Sequence, residues 1–226
     1  MPILGYVIVA VAAYLLGSFP TGFLVAKAKG IDIRTVGSGN IGATNAMRVV
    51  GKLAGIFVLL VDALKGYAAC AFLPPLIFNW LAPHFSGLFH HFHDEPVELQ
   101  IRFYVTAGLF AVLGHNYTCW LGFKGGKGIA TSAGVFFALA PLAAGVAAVS
   151  WIVAFALCRY ASVASIVAAV ALPATVWLTP NSMTLRIVTT VLGLLAIFKH
   201  RSNIKRLLNG TEQRFGQKPS SREAAK

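Results

Sequence analysis

The chain is poor in charge and poorest in acids. Its 226 residues hold 7 Asp and Glu against 19 Lys and Arg, and charged residues make up 12% of the total. Soluble globular domains carry about 25%. Too few polar side chains are present to cover a water-facing surface, which excludes an ordinary soluble fold. Cysteine is scarce too. Cys70, Cys119 and Cys158 are odd in number, lie in apolar stretches and show no metal-ligand spacing. That excludes a disulfide scaffold and reads as inert thiols. The N-terminal apolar run has no charged n-region and outlasts the roughly 7–15 apolar residues of a signal peptide, so it reads as a retained helix. Internal repeats are absent, and the tail Gln217–Lys226 is the one low-complexity stretch.

Apolar residues dominate instead, at 57% with a mean hydropathy of +0.73. They fall into the runs Ile3–Ala26, Leu53–Leu73, Ile101–Leu121, Ile129–Leu157, Ala161–Leu178 and Thr184–Phe198. About 20 apolar residues in a helix cross a bilayer core of roughly 30 Å. The expected fold class is therefore an all-α, polytopic membrane helix bundle, one compact unit over residues 1–226. Lys and Arg gather on cytoplasmic loops. Here they gather between the first two runs, after the third, and in the C-terminal segment, whereas the loop 74–100 holds Asp94, Glu95 and Glu98 with no Lys or Arg. The N-terminus is then outside and the basic segments inside. Parity holds only if Ile129–Leu157 is two half-length helices, meeting near Ala140–Pro141, that enter and leave by the cytoplasmic face. Such broken helices are tolerated where they line a polar cavity. The expectation is about seven membrane helices, two of them short, with a site near their junction.

Three cytoplasmic segments are richer in glycine and short polar side chains than connectors need. The first, residues 35–48, holds Gly37, Ser38, Gly39, Asn40, Gly42, Thr44, Asn45 and Arg48. Consecutive backbone N–H groups in such a loop form an anion nest, and Arg48 can grip a phosphate with two N–H donors. The spacing also fits a dinucleotide-binding fingerprint, but membrane helices rather than a βαβ unit flank it, which excludes a nicotinamide cofactor. The second segment, residues 114–128, carries His115 and Asn116, then Gly125, Gly126 and Gly128 around Lys127. It is not a Walker A loop, because Gly128 replaces the magnesium-binding hydroxyl residue. In the third, Lys199–Leu208 reads as a basic interfacial helix stopped by Asn209-Gly210, with His200 and Asn203 on one face. Plain alternatives stand beside each: a tight turn, a basic membrane-edge turn, and an anionic-lipid anchor.

Taken together, Gly17-Ser-Phe-Pro-Thr-Gly22, the segment from Gly37 through Asn45 with Arg48, Gly114-His-Asn116 with Lys124-Gly-Gly-Lys-Gly128, and His200-Arg-Ser-Asn203 with Gly210-Thr-Glu212 resemble the bacterial acyl-phosphate:glycerol-3-phosphate acyltransferases, the PlsY family, in order and over nearly the whole chain. The resemblance implies a seven-helix enzyme of the bacterial cytoplasmic (inner) membrane with its active site on the cytoplasmic face. It would move a fatty acyl group from acyl phosphate to the 1-hydroxyl of glycerol 3-phosphate in phospholipid biosynthesis, giving lysophosphatidic acid and phosphate. It implies catalytic roles for Ser38, Lys127, His200 and Asn203. Substrate-binding roles fall to Gly37, Gly39, Asn40, Asn45, Arg48, Gly125, Gly126, Ser165 and Arg201. No metal, cofactor or acyl-CoA is implied. The partners are the two substrates, membrane lipid and a soluble acyl-phosphate-producing enzyme, with no nucleic acid. The loop holding His84, His90, His91 and His93 departs from the pattern.

The chemistry agrees with the residues. Two phosphate-bearing substrates need anion subsites at the membrane surface, and an acyl phosphate is already activated, so positioning and charge stabilisation suffice. Two bases stay open, His200 and a substrate phosphate. A Ser38 or Ser165 acyl-enzyme lacks acidic support for a base. Asp62 and Lys65, three apart, either line the cavity or lock two helices. The rival classes are an anion transporter, which the lack of repeat halves disfavours, and a lipid-binding scaffold, which would not need three such segments.

Overall fold

The computed structural model describes residues 2–85 and 91–216, and within them the chain is helical, with no strand. His90 of the histidine-rich loop and the tail cations Lys218, Arg222 and Lys226 lie outside the described residues. The helices are α1 (Pro2–Ser18), α2 (Thr21–Lys27), α3 (Ala43–Val49), α4 (Lys52–Leu81), α5 (Val97–Asn116), α6 (Ile129–Leu139), α7 (Pro141–Cys158), α8 (Ala161–Leu178), α9 (Met183–Lys199) and α10 (Arg201–Leu208).

By length and composition, five segments can cross a membrane: the α1–α2 stretch, α4, the α5 stretch to Leu121, α7 and α8. The pair α9 and α10 joins them if taken as one broken span, bent by 51°. The 11-residue α6 is too short to cross alone. The outward faces are apolar. Leu60 and Leu64 of α4 are each 62% exposed, a surface suited to lipid and not to water. Polar residues point inward, among them Asp62, Lys65, His115, Asn116 and Thr131.

Three boundaries differ from those the apolar runs suggest. The first apolar run is two helices, because Pro20 cannot continue α1 and disfavours helical geometry at Phe19. The carbonyls stranded there find partners in Thr118, whose Oγ1 donates to the Ser18 oxygen (2.6 Å), and Lys65, whose Nζ donates to that of Phe19 (2.9 Å). The second run continues through Pro74 and Pro75 to Leu81 instead of ending at Leu73, since membrane helices tolerate proline. The fourth run does break at Ala140, but its arms are unequal: 11 residues in α6 and 18 in α7.

Close helix contact fixes the frame. Without a hydrophobic drive between helices in lipid, packing relies on small residues that let backbones approach. α4 and α6 meet in this way. A Cβ on Gly134 would overlap the Ala63 carbonyl oxygen, and one on Gly66 the Thr131 oxygen. Gly134→Val should cost about 1–3 kcal/mol of overpacking, which lowers the thermal midpoint by roughly 2–12 °C in a protein of this size. A melting curve in detergent that matches the wild type would contradict this packing.

Candidate active site

One end of the bundle carries an open cavity of about 150 Å³. Its lining comes from all three polar segments: Ser38, Asn40, Asn45 and Arg48 from the first, Lys127 and Gly128 from the second, and His200, Asn203 and Glu212 from the third. The helices add Asp62 of α4, Trp151 of α7, and Ser162 and Ser165 of α8. Two helices begin at its wall. Ile129 and Ala130 open α6, and Ala161 and Ser162 open α8. The first N–H groups of a helix have no partner within it, and the helix dipole favours an anion there. A second cavity of about 150 Å³ shares Ser38, Arg48 and Glu212 and adds Gly37, Arg206, Thr211 and Gln213.

The first loop is shaped by Asn45. Its Oδ1 accepts from the Ser38 amide (2.9 Å), and its Nδ2 donates to the carbonyls of Ile33, Val36 and Asn40. Gly37 turns there at φ +63°, and any Cβ on it would overlap the Asn45 Oδ1. Asn40 accepts from the Gly42 amide (2.8 Å). Arg48 is half-buried and donates to the Gln213 carbonyl (3.2 Å), which ties this loop to the third segment.

Lys127 meets the third segment directly, its Nζ donating to Asn203 Oδ1. Asn203 Nδ2 donates to Glu212 Oε1 (2.7 Å). Glu212 is the hub. Ser162 also donates to its Oε1 (2.7 Å), and Arg206 Nε to its Oε2 (2.7 Å). Although burial pushes this carboxyl's pKa up, the donors from Asn203, Ser162 and Arg206 hold it below its ordinary value. His200, buried just past the end of α9, has Nδ1 2.8 Å from the Ala196 carbonyl. The carbonyl can only accept, so the ring proton sits on Nδ1 and Nε2 is an acceptor. Burial, then the Lys127 charge, lowers its pKa to about 4.

Burial also lowers the Lys127 pKa to about 8; Glu212 raises it, and Arg206 and Arg48 push it further down. At neutral pH the ammonium therefore stays mostly charged and is lost as pH rises through about 8. The profile of kcat/KM should fall on its alkaline side near that value, and Lys127→Arg should move the limb upward. An alkaline limb unchanged in Lys127→Arg would assign it to another group.

The structure thus gathers Ser38, Asn40, Asn45, Arg48, Lys127, Ser165, His200 and Asn203 at one cavity. Gly37 lines the adjoining one. Gly39, Gly125, Gly126 and Arg201 line neither. The Gly125 and Gly126 amides are spent on the carbonyls of Asn116 (3.2 Å) and His115 (3.0 Å). Arg201 is exposed and stacks on Phe198. Ser165 donates to the Ala161 carbonyl (2.7 Å) and accepts from Trp151 Nε1 (3.2 Å), so no base attends it. Ser162 and Trp151 join the site without any mark in the sequence; a serine opening an apolar run and an indole inside another carry no distinguishing signal. Among the described residues no cluster of His, Cys, Asp and Glu could hold a metal ion.

The fold and site define a polytopic membrane protein with a cavity at one end of its bundle lined by Arg48, Lys127 and amide side chains. Residues 7–210 match the family model described as glycerol-3-phosphate acyltransferase, and the chain belongs to that family. It is 48% identical over 209 residues to the glycerol-3-phosphate acyltransferase of Geobacter metallireducens, covering 92% of this chain and 97% of the relative. Against the enzyme of that name from Trichlorobacter lovleyi it is 45% identical over 203 residues, covering 90% and 94%. Its structure resembles crystal structures of PlsY (YgiH), an integral membrane glycerol 3-phosphate acyltransferase. The glycerol 3-phosphate form matches at TM-score 0.78 and 39% identity, covering 93% of this chain and 96% of that one. The lysophosphatidic acid form matches at 0.76 and 37%, covering 93% and 95%.

Proposed function

We propose that this chain is a single membrane acyltransferase domain that moves a fatty acyl group from acyl phosphate to the 1-hydroxyl of glycerol 3-phosphate. The hydroxyl oxygen bonds to the acyl carbonyl carbon, the carbon–phosphate oxygen bond breaks, and the hydroxyl proton leaves on the released phosphate. Lysophosphatidic acid and inorganic phosphate result, a step of phospholipid biosynthesis. The observation that carries this reading is the convergence of Lys127, Arg48, His200 and Asn203 on one cavity at the end of an apolar bundle. Lys127, Arg48 and the amides opening α6 and α8 hold phosphate and the developing oxyanion. Asn203 orients Lys127. Neutral His200 orients the glycerol 3-phosphate without taking the proton of its 1-hydroxyl, and Leu59, Ile129 and Trp151 supply apolar wall for the chain. Because the donor is a mixed anhydride, no cofactor is required, and a soluble enzyme that makes acyl phosphate is the partner such a reaction calls for.

We place the cavity on the cytoplasmic face of the bacterial inner membrane, from the Lys and Arg asymmetry of the loops. Single cysteines at Asp94, Arg34, Lys127 and Arg214, in a background without the three native cysteines, test this. An impermeant thiol reagent on intact cells should label position 94 alone. Labelling at 127 or 214 but not 94 inverts the topology.

A further inference from the structure

Two carboxylates line the main cavity, and they differ in one respect. Both oxygens of Glu212 are engaged by protein donors. Asp62 uses one oxygen only. Lys65 Nζ lies 2.7 Å from its Oδ1, Thr21 Oγ1 donates to the same atom at 3.2 Å, and His115 Nδ1 stands 3.7 Å from it. Among the described residues, no protein donor is assigned to Oδ2. Asp62 is 2% exposed and sits about ten residues into α4, roughly 15 Å along its axis. A carboxylate in such surroundings is costly to keep and its vacant oxygen is a strong acceptor. Lys65 neutralises the charge and is itself anchored on the Phe19 carbonyl, so the geometry is fixed before any ligand arrives.

We infer that Asp62 Oδ2 accepts a hydrogen bond from the middle hydroxyl of the glycerol 3-phosphate acceptor, which makes Asp62 the residue that reads the polyol. This rests on the reading given under Proposed function. The cavity is otherwise furnished with cations, amides and hydroxyls, groups that recognise the phosphate end. Asp62 Oδ2 and His200 Nε2 are the acceptors in it to which no protein donor is assigned, and the Asp62 oxygen is the anionic one. A site built to bond a hydroxyl rejects an analogue that lacks it, because the buried acceptor is then left unpaired.

Equilibrium binding to the purified protein tests the assignment apart from turnover. The two ligands are glycerol 3-phosphate and 3-hydroxypropyl phosphate, which differ in that hydroxyl alone. The wild type should bind the analogue about 10- to 100-fold more weakly, the loss of one bond to a charged group. Asp62→Leu/Lys65→Met removes both charges together, which avoids stranding a lone ammonium. It should bind the two ligands within about threefold of each other, with the analogue's own affinity little changed. Asp62→Asn keeps the shape and the Lys65 anchor and should give an intermediate ratio. Equal affinities in the wild type overturn the assignment without any variant. So does a variant that weakens both ligands by the same factor, since that is the mark of a merely structural pair. Tight, discriminating binding without acyl transfer would instead overturn the proposed reaction and leave Asp62's role standing.

Discussion

Lys127→Ala and Arg48→Ala should each lower kcat/KM at limiting substrate by roughly ten- to a hundredfold or more, with the fold intact. In the proposed reaction each side chain supplies a charge-assisted contact worth about 1.5–3 kcal/mol to a phosphate or to the developing oxyanion. Both line the same cavity. Their structural ties are modest: Lys127 donates to Asn203, and Arg48 to one carbonyl of the third segment. Thermal unfolding should move little while turnover falls. The double variant should lose less than the product of the two single losses if both cations act on one phosphate, because contacting sites are not additive. Near-normal turnover in both single variants would remove them from the site.

The second large effect concerns His200. If its imidazole were the general base, His200→Ala would lower the maximal rate by about 10²–10⁴-fold. Burial and the Lys127 charge hold its pKa near 4, far below the neutral range where a base is most useful. The substrate phosphate is instead the base in the proposed reaction, and His200 is a neutral acceptor. Two results follow. His200→Asn should retain appreciable rate, because an amide can still bond the acceptor. The acidic limb of the wild-type profile should sit near pH 6, about the second pKa of a phosphate, and persist in that variant. A limb near pH 4 that disappears in His200→Asn, together with undetectable turnover, normal glycerol 3-phosphate binding and intact fold, assigns the base to His200.

Much of this site is legible in residue types alone. In a chain so apolar, a segment such as Gly37 to Arg48 or Lys124 to Gly128 stands out, and a basic helix closed by Asn209-Gly210 is equally plain. The break at Ala140 follows from a run too long for one span, and α10 stops at Leu208, where those turn residues begin. Face assignment inside the membrane is harder. Lipid-facing and inward-facing positions are both apolar, so periodicity does not separate them. Ser162, Trp151 and the engaged state of Asp62 therefore emerge only when the helices are in place. Gly125 and Gly126 illustrate a related limit. A glycine-rich loop reads as free amides, yet these two are turned onto the end of α5, and the amides left at the cavity belong to the helix that follows. The pair Pro74–Pro75 reads as a helix end by soluble-protein rules and lies inside α4.

Acyl transfer from acyl phosphate at this cavity is tested most directly by following both products at once. Purified protein in lipid or detergent, given a long-chain acyl phosphate and glycerol 3-phosphate without added metal, should release inorganic phosphate and form lysophosphatidic acid in equal amounts. Omitting glycerol 3-phosphate should abolish both, and Lys127→Ala should cut both together. Phosphate release that does not depend on glycerol 3-phosphate, or lysophosphatidic acid formed from acyl-CoA but not from acyl phosphate, would contradict the proposed reaction.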